Sequence, residues 1–271
     1  MTQATIPGRP TDRLARPAAG EPPAPRTPSD TQPLRPAPVR QDRGPAGSAS
    51  VRGLRHVAAD ATAVQGAGAD LAIAVADGVG DSPSAALAAR TAADVATAVA
   101  PGAGSREALL AARDAVRLEP AADDAVMVVA AGLPGGGWTV SWVGDCRALL
   151  VTDRGVERLT HDHTVAQWLR DRGRTGEDVL PAWENVVMTT VGSADPAVLG
   201  HVRGPAGPGT LVLVSDGVHR AVDEETIAFL VRRAGAPARA ARELVDAALA
   251  AGSPDNATAA VVPLPAEWIA S

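Results

Sequence analysis

Apolar residues come in short unbroken runs through the middle of the chain and at helical spacing on either side of them; the first fifty positions show neither pattern. Leu71-Ala-Ile-Ala-Val-Ala76 is six apolar residues in a row, followed at once by Asp77-Gly78. The same order returns at Leu211-Val-Leu-Val214, which passes through Ser215 into Asp216-Gly217. Short apolar runs that stop at glycine predict buried strands. A carboxylate where each run leaves the core predicts that the two acids share one site, and Gly78 and Gly80 let the backbone there turn and approach a ligand closely.

Read along the chain, the pattern predicts strands at 57–65, 71–76, 125–131, 138–143, 148–152, 155–159, 198–202, 211–214 and 257–262. Helices are predicted at 83–100, 105–118, 164–172, 223–233 and 238–251. Pro83 suits a first helical turn, Ser105 reads as an N-cap with Glu107 close behind, and Val165, Trp168 and Leu169 share one face. Glycine-rich turns at Gly135-Gly136-Gly137 and Asp153-Arg154-Gly155 make the four strands between 125 and 159 an expected antiparallel meander. Meanders mixed with paired helices do not fit a regular βαβ alternation. They fit an α+β fold, two packed antiparallel sheets flanked by pairs of helices. Residues 1–50 hold nearly half of the chain's 23 prolines among Arg, Ala and Thr, a composition that cannot offset its ordering entropy and predicts a disordered tail. The folded domain is expected over 51–265.

Composition narrows the function. With 271 residues and 46% hydrophobic content the chain can bury one large core. Its net charge is −6, and seven Arg against four acids give the tail +3, which leaves −9 for the rest. Nothing in that balance favours nucleic acid. Cys146 is the one cysteine, so no internal disulfide forms and a reducing compartment is expected. No apolar run reaches the roughly 18 residues of a bilayer span, and the first residues lack the order of a signal peptide. The expectation is a cytoplasmic monomer that does not touch membranes.

Four aspartates fall at strand ends or in tight turns: Asp60, Asp77, Asp216 and Asp255. The last lies in Gly252-Ser253-Pro254-Asp255-Asn256, a turn that leads into the final strand. Carboxylates gathered at one edge of a core repel one another and resist desolvation. Divalent cations would make such a cluster stable, and an all-oxygen donor set selects Mg²⁺ or Mn²⁺. Singly, each of these acids is also an ordinary turn residue.

In order along the chain, these residues resemble the motifs of the metal-dependent (type 2C) serine/threonine protein phosphatases. Gly53-Leu54-Arg55 followed by Asp60 resembles the opening motif, whose Arg binds the substrate phosphate. Ala76-Asp77-Gly78-Val79-Gly80 resembles the motif whose Asp bridges two metals and whose Gly offers its carbonyl. Val143-Gly144-Asp145-Cys146-Arg147 is similar to the family's Gly-Asp-Ser-Arg turn, and His161-Asp162-His163 to the start of the bacterial flap segment. Ser215-Asp216-Gly217 and Pro254-Asp255-Asn256 resemble the two late metal-binding motifs. The resemblance implies two Mn²⁺ or Mg²⁺ ions held by Asp60, Asp77, Gly78, Asp216 and Asp255. Arg55, Asp60, Asp77 and Asp216 would carry catalysis, in which a metal-activated water attacks a phosphoserine or phosphothreonine. A phosphoprotein, such as a Ser/Thr kinase or its targets, would be the substrate.

The chain departs from that pattern at several places. Ala59 stands where the family has an acid or amide, Asp81 adds negative charge beside the site, and Val79 removes a histidine seen in some members. Cys146 replaces a serine and reads as a buried thiol rather than a nucleophile. Asp123 or Asp124 could hold a third ion with Asp216, although paired acids more often mark a solvated strand end. His161 and His163 read as polar flap residues, and Asp145 as a turn residue. Ala59 and Asp81 motivate an alternative, a weakened family member that binds phosphoproteins or regulates without turnover. An aspartyl nucleophile fits poorly, because Asp77-Gly78-Val79 lacks the second Asp such sites need.

Overall fold

A computed structural model describes residues 46–264. Two five-stranded antiparallel sheets pack face to face, and a pair of helices covers the outer side of each. The strands are β1 (Gly47–Val51), β2 (Asp60–Gln65), β3 (Ala72–Gly78), β4 (Ala125–Gly132), β5 (Trp138–Val143), β6 (Arg147–Thr152), β7 (Gly155–Arg158), β8 (Gly200–Gly204), β9 (Gly209–Val214) and β10 (Ala257–Leu264). One sheet has the order β1-β10-β9-β6-β7 and the other β2-β3-β4-β5-β8. The long helices are α1 (Pro83–Ala103) and α2 (Ser105–Leu118) on one side, and α5 (Glu224–Ala234) and α6 (Pro237–Ala250) on the other; α3 (Val165–Arg170) and α4 (Asp216–His219) are short.

The unbroken apolar runs follow from this four-layer plan. A strand between a helix layer and a second sheet meets apolar surroundings on both faces, so alternation in polarity vanishes and alternation in size takes its place. On β3 the small Ala72, Ala74 and Ala76 pack against Ala88, Ala89, Ala92 and Ala93 of α1. Ile73 and Val75 point the other way, onto Leu211, Leu213 and Val262 of the facing sheet. On β9 Val212 and Val214 meet Ile227, Leu244 and Val245 of the α5–α6 pair. Alanine on both sides of the α1 contact lets helix and sheet approach closely, which explains a core so poor in aromatics.

Helix ends follow their capping residues. Ser82 accepts the N–H of Ala85 at 3.0 Å ahead of Pro83, and α1 ends where Pro101 and Gly102 leave helical geometry. Asp223 caps α5 by accepting the N–H of Thr226 at 2.8 Å, and Gly235 stops it in the left-handed region at φ 70°. Ser105, expected to be an N-cap, is the first helical residue of α2 instead. Gly104 holds the cap position, and the Ser105 hydroxyl is 2.9 Å from that of Ser141 inside the fold.

Two expectations about strands are corrected. Gly47 to Ser50 lie within the stretch read as tail, yet with Val51 they form a strand paired with β10 along its length, from Gly47↔Val261 to Val51↔Ala257. Residues 1–45 lie outside the described residues. The four strands between 125 and 159 form two hairpins, not one meander. β5 pairs with β4 and β8, whereas β6 pairs with β7 and β9 in the opposite sheet. The chain crosses between sheets at Gly144-Asp145-Cys146, where Gly144 sits at φ 81° and any Cβ would run into the Val126 side chain.

The connection 160–199 between β7 and β8 forms a flap. It contains α3, capped by Thr164, and two 3₁₀ turns at Gly176–Asp178 and Pro181–Asn185. Its base is held by Trp142 Nε1 donating to the His161 carbonyl at 2.8 Å and by Val165 and Met188 amides donating to Val186 and His163 carbonyls. Arg117 of α2 donates to the Gly192 carbonyl at 2.6 Å. Among the described residues no helix is long and apolar enough to cross a membrane.

Candidate active site

One end of the sandwich closes with polar side chains instead of apolar ones. Asp77 follows Val75 on the inward face of β3, and Asp60 is its Cα partner on β2. Ser215 and Asp216 follow the last residue of β9, while Asp255 and Asn256 precede the first residue of β10, its antiparallel neighbour. Gly217 allows this meeting, because a Cβ there would collide with the Asn256 carbonyl. Asp145 reaches the same end from the crossing between β5 and β6. Arg55, Asp77, Gly78, Asp145, Asp216 and Asp255 line one open cleft of about 590 Å³.

Asp60 stands just beneath this cleft and does not line it. Its Oδ2 accepts from the Ser215 hydroxyl at 2.7 Å, and that hydroxyl in turn accepts the Thr258 amide at 3.0 Å. Asp60 Oδ1 and Asp216 Oδ1 are shut off from solvent with no hydrogen-bond partner. Burial pushes the Asp60 carboxyl up to about 7, against the pull of the Ser215 hydroxyl. Asp77 is driven well above the usual carboxylate range by burial and then by the charges of Asp60, Asp216, Asp145 and Asp255. Asp145 rises to about 6 through burial and the nearby Asp216, opposed by Arg220. Asp216 is raised by burial as well, with Arg220 opposing.

Five acids against two guanidiniums leave the site with unneutralised charge. Arg55 donates to Asp255 Oδ2 at 2.7 Å, and Arg220 donates to Asp145 Oδ2 at 2.7 Å and lies 3.4 Å from Asp216 Oδ2. Among the described residues no three His, Cys, Asp or Glu side chains close on a single point; Asp255 leans to Arg55, and Asp145 and Asp216 to Arg220. Even so, the donors suit a hard divalent cation. They are all oxygens, they come from five separate segments, and two of them are buried with nothing to bond.

Several residues do work that their sequence context did not reveal. The Asn256 side chain accepts the Ala59 amide at 2.6 Å and donates to the Arg52 and Val57 carbonyls at 2.6 and 3.1 Å. It therefore fixes both ends of the loop that carries Arg55. Asp81, expected to burden the site with charge, is turned to the same loop. Its carboxylate accepts the His56 and Val57 amides at 3.0 and 2.8 Å and stands 2.9 Å from His56 Nδ1, bonds that hold it at about 2. Only the clustering of Asp and Asn in turns hinted at such local bonding.

Asp123 and Asp124, the expected third-ion candidates, do not line the cleft. Asp123 accepts from the hydroxyls of Ser82 and Ser84 at the start of α1. Asp124 accepts from Thr190 Oγ1 at 2.6 Å and the Gly192 amide at 2.8 Å, which anchors the flap. Asp145, read as a turn residue, is the acid that faces Asp216. Cys146 is buried, and burial with the neighbouring acids pushes its thiol well up, so it stays protonated. His161 pairs with Asp171 at 2.8 Å on the flap surface, and His163 lies beneath it beside the Trp142 ring.

Comparison with known proteins agrees with this geometry. Residues 184–257, which carry Asp216 and Asp255, match the family model "Protein phosphatase 2C". A search of curated protein sequences found no significant match. Among solved structures, the Ser-Thr phosphatase MsPP from Mycobacterium smegmatis, in complex with cacodylate, superposes with a TM-score of 0.67 at 28% identity, over 81% of this chain and 98% of that one. The catalytic domain of the serine/threonine phosphatase PstP, solved with two manganese ions, gives 0.65 at 26% identity over 81% and 98%. Stp1 from Staphylococcus aureus gives 0.69 at 18% identity over 81% and 94%, a likeness of fold. In its two-sheet architecture and in the late segment that carries Asp216 and Asp255, this chain is therefore similar to the type 2C, metal-dependent serine/threonine protein phosphatases.

Proposed function

We propose that the chain is an active phosphatase that removes phosphate from phosphoserine and phosphothreonine in proteins, using two Mn²⁺ or Mg²⁺ ions. The observation that carries this reading is the gathering of Asp77, Gly78, Asp216, Asp255 and Arg55, residues spread over 200 positions, around one cleft. Asp77, the Gly78 carbonyl, Asp216 and Asp255 would hold the ions, with Asp60 contributing its unpartnered Oδ1 from below. Bound there, the ions would supply Lewis-acid chemistry, lowering the pKa of the attacking water and offsetting charge on the phosphoryl group.

The chain's own residues do the rest. Arg55 uses one nitrogen on Asp255 and keeps the remaining donors of its fork for phosphate oxygens. Asn256 and Asp81 hold the Arg55 loop so that this fork faces the cleft. Buried, protonated Cys146 is no nucleophile, which suits direct hydrolysis without a covalent enzyme intermediate. A kinase or its phosphorylated targets would be the physiological substrate, met by a monomer in the cytoplasm.

One observation favours a second reading, a weakened member that binds phosphoproteins. Ala59 packs its methyl group with Ala85 and Ala86 in a small apolar cluster, so its side chain offers the cleft no oxygen where the resembled motif has an acid or amide. Manganese-dependent hydrolysis of para-nitrophenyl phosphate decides between them. The active reading expects turnover that Asp216→Asn abolishes; equal rates in both proteins would leave only the binding reading.

A further inference from the structure

Within the cleft, the least expected feature is a cation that the chain supplies itself. Arg220 Nη2 lies 2.7 Å from Asp145 Oδ2, 3.4 Å from Asp216 Oδ2 and 2.9 Å from the Glu184 carbonyl. These acceptors come from the crossing between the sheets, the start of α4 and the 3₁₀ turn of the flap. Three segments distant in sequence thus meet on one nitrogen. Both acids are largely buried, at 6% and 14% side-chain exposure, and Arg220 is the positive charge beside them. His219, the next residue back, donates Nε2 to the Asp145 carbonyl at 2.9 Å and fixes the acid in place.

We propose that Arg220 is a positioning residue that acts as a fixed internal cation between Asp145 and Asp216, closing that position to a divalent ion and tying the flap to the floor of the cleft. The inference rests on the reading of the cleft as a divalent-cation site. A guanidinium beside two carboxylates does electrostatically what a metal ion would do, and like charges exclude one another from the same few ångströms. Remove the guanidinium and two buried, oxygen-only acids lose their counter-charge, an environment that attracts a hard cation. The same nitrogen also holds the turn at Glu184, whose side chain pairs with Arg170 of α3. Asn185 and Val187 beside it line the cleft. Arg220 therefore holds the cleft-side turn of the flap, while Asp124, Arg117 and Trp142 anchor it elsewhere.

The test compares the full chain with Arg220→Met and Arg220→Lys after metal stripping, by calorimetric titration with Mn²⁺ and by amide hydrogen exchange. The Met variant should bind one more Mn²⁺ per chain than the parent, and amides around 183–188 should exchange about tenfold faster. The Lys variant should keep the parent's count. Adding Asp145→Asn to the Met variant should remove the extra ion. If the Met variant does not fold, Arg220→Gln carries the same expectation, since it keeps a donor for the Glu184 carbonyl but no charge. Equal counts in the parent and the neutral variant, or a gain in the Lys variant too, would overturn the proposal. A parent chain that binds no Mn²⁺ at all would overturn the cation-site reading on which it stands.

Discussion

Asn256→Ala tests whether the Arg55 loop is held in the way the geometry implies. The Asn256 side chain makes three bonds to backbone groups, and one of its partners, the Ala59 amide, belongs to a residue only 3% exposed. Losing the acceptor strands that N–H, at a cost of about 1–3 kcal/mol for a buried unpartnered donor. The Arg52 and Val57 carbonyls are less enclosed, so water replaces the lost amide at about 0.5 kcal/mol each. The sum is about 3 kcal/mol, or about 6–12 °C in Tm for a folded region of this size. Asn256→Asp should cost at least as much: it keeps an acceptor for Ala59 but turns a donor into a carboxylate facing two carbonyls, beside Asp255. Urea unfolding in excess chelator measures the loss without interference from bound metal. A second readout is KM for para-nitrophenyl phosphate, which should rise as Arg55 loses its fixed position. A loss below about 1 kcal/mol, or an Asp variant more stable than the Ala variant, would refute the reasoning.

Two other outcomes follow from the burial pattern and the charge of the site. Asp60 and Asp145, raised to about 7 and about 6, bind protons more tightly in the folded chain than in the unfolded one, where carboxyls titrate near 4. The stability they contribute is thus fully present below about pH 4 and is lost as pH rises through about 7. In chelator, Tm should be higher near pH 5 than near pH 8, and added Mn²⁺ should reduce the difference; a Tm that climbs with pH would contradict it. Ala92→Leu puts three more carbons into the close α1–β3 contact and should cost about 1–3 kcal/mol by denaturant unfolding, leaving the cleft untouched.

Much of the architecture was legible because a four-layer sandwich writes a simple signal: apolar runs as long as the strands, broken at glycine, with helices at their own spacing between them. The conversion of one meander into two hairpins was not legible. Glycine turns announce that a strand ends, but Gly144-Asp145-Cys146 differs from Asp153-Arg154-Gly155 only in which sheet the next strand joins. That is decided by the pairing of β6 with β9, some sixty residues away. β1 escaped for a related reason. Gly47-Ser-Ala-Ser-Val51 has little strand character of its own, and it pairs because β10 offers an open edge.

At the site, the acids were visible and their neighbours were not. Asp77, Asp216 and Asp255 each announce themselves by ending or opening an apolar strand. Asn256 and Asp81 act through contacts that span 24 to 204 positions, and Arg220 reaches Asp145 and Glu184 across 75 and 36; no spacing encodes them. Asp81 shows why the distinction matters. As a charge in a string of letters it argues against catalysis, because it adds to an acidic cluster that is already hard to hold. In the fold its carboxylate is spent on two backbone amides and a histidine of the Arg55 loop. The residue that looked like damage to the site helps to present the group that would meet the substrate. Of the two departures that suggested a weakened enzyme, one is thus accounted for by the structure. Of those two, only Ala59 still argues for lost activity.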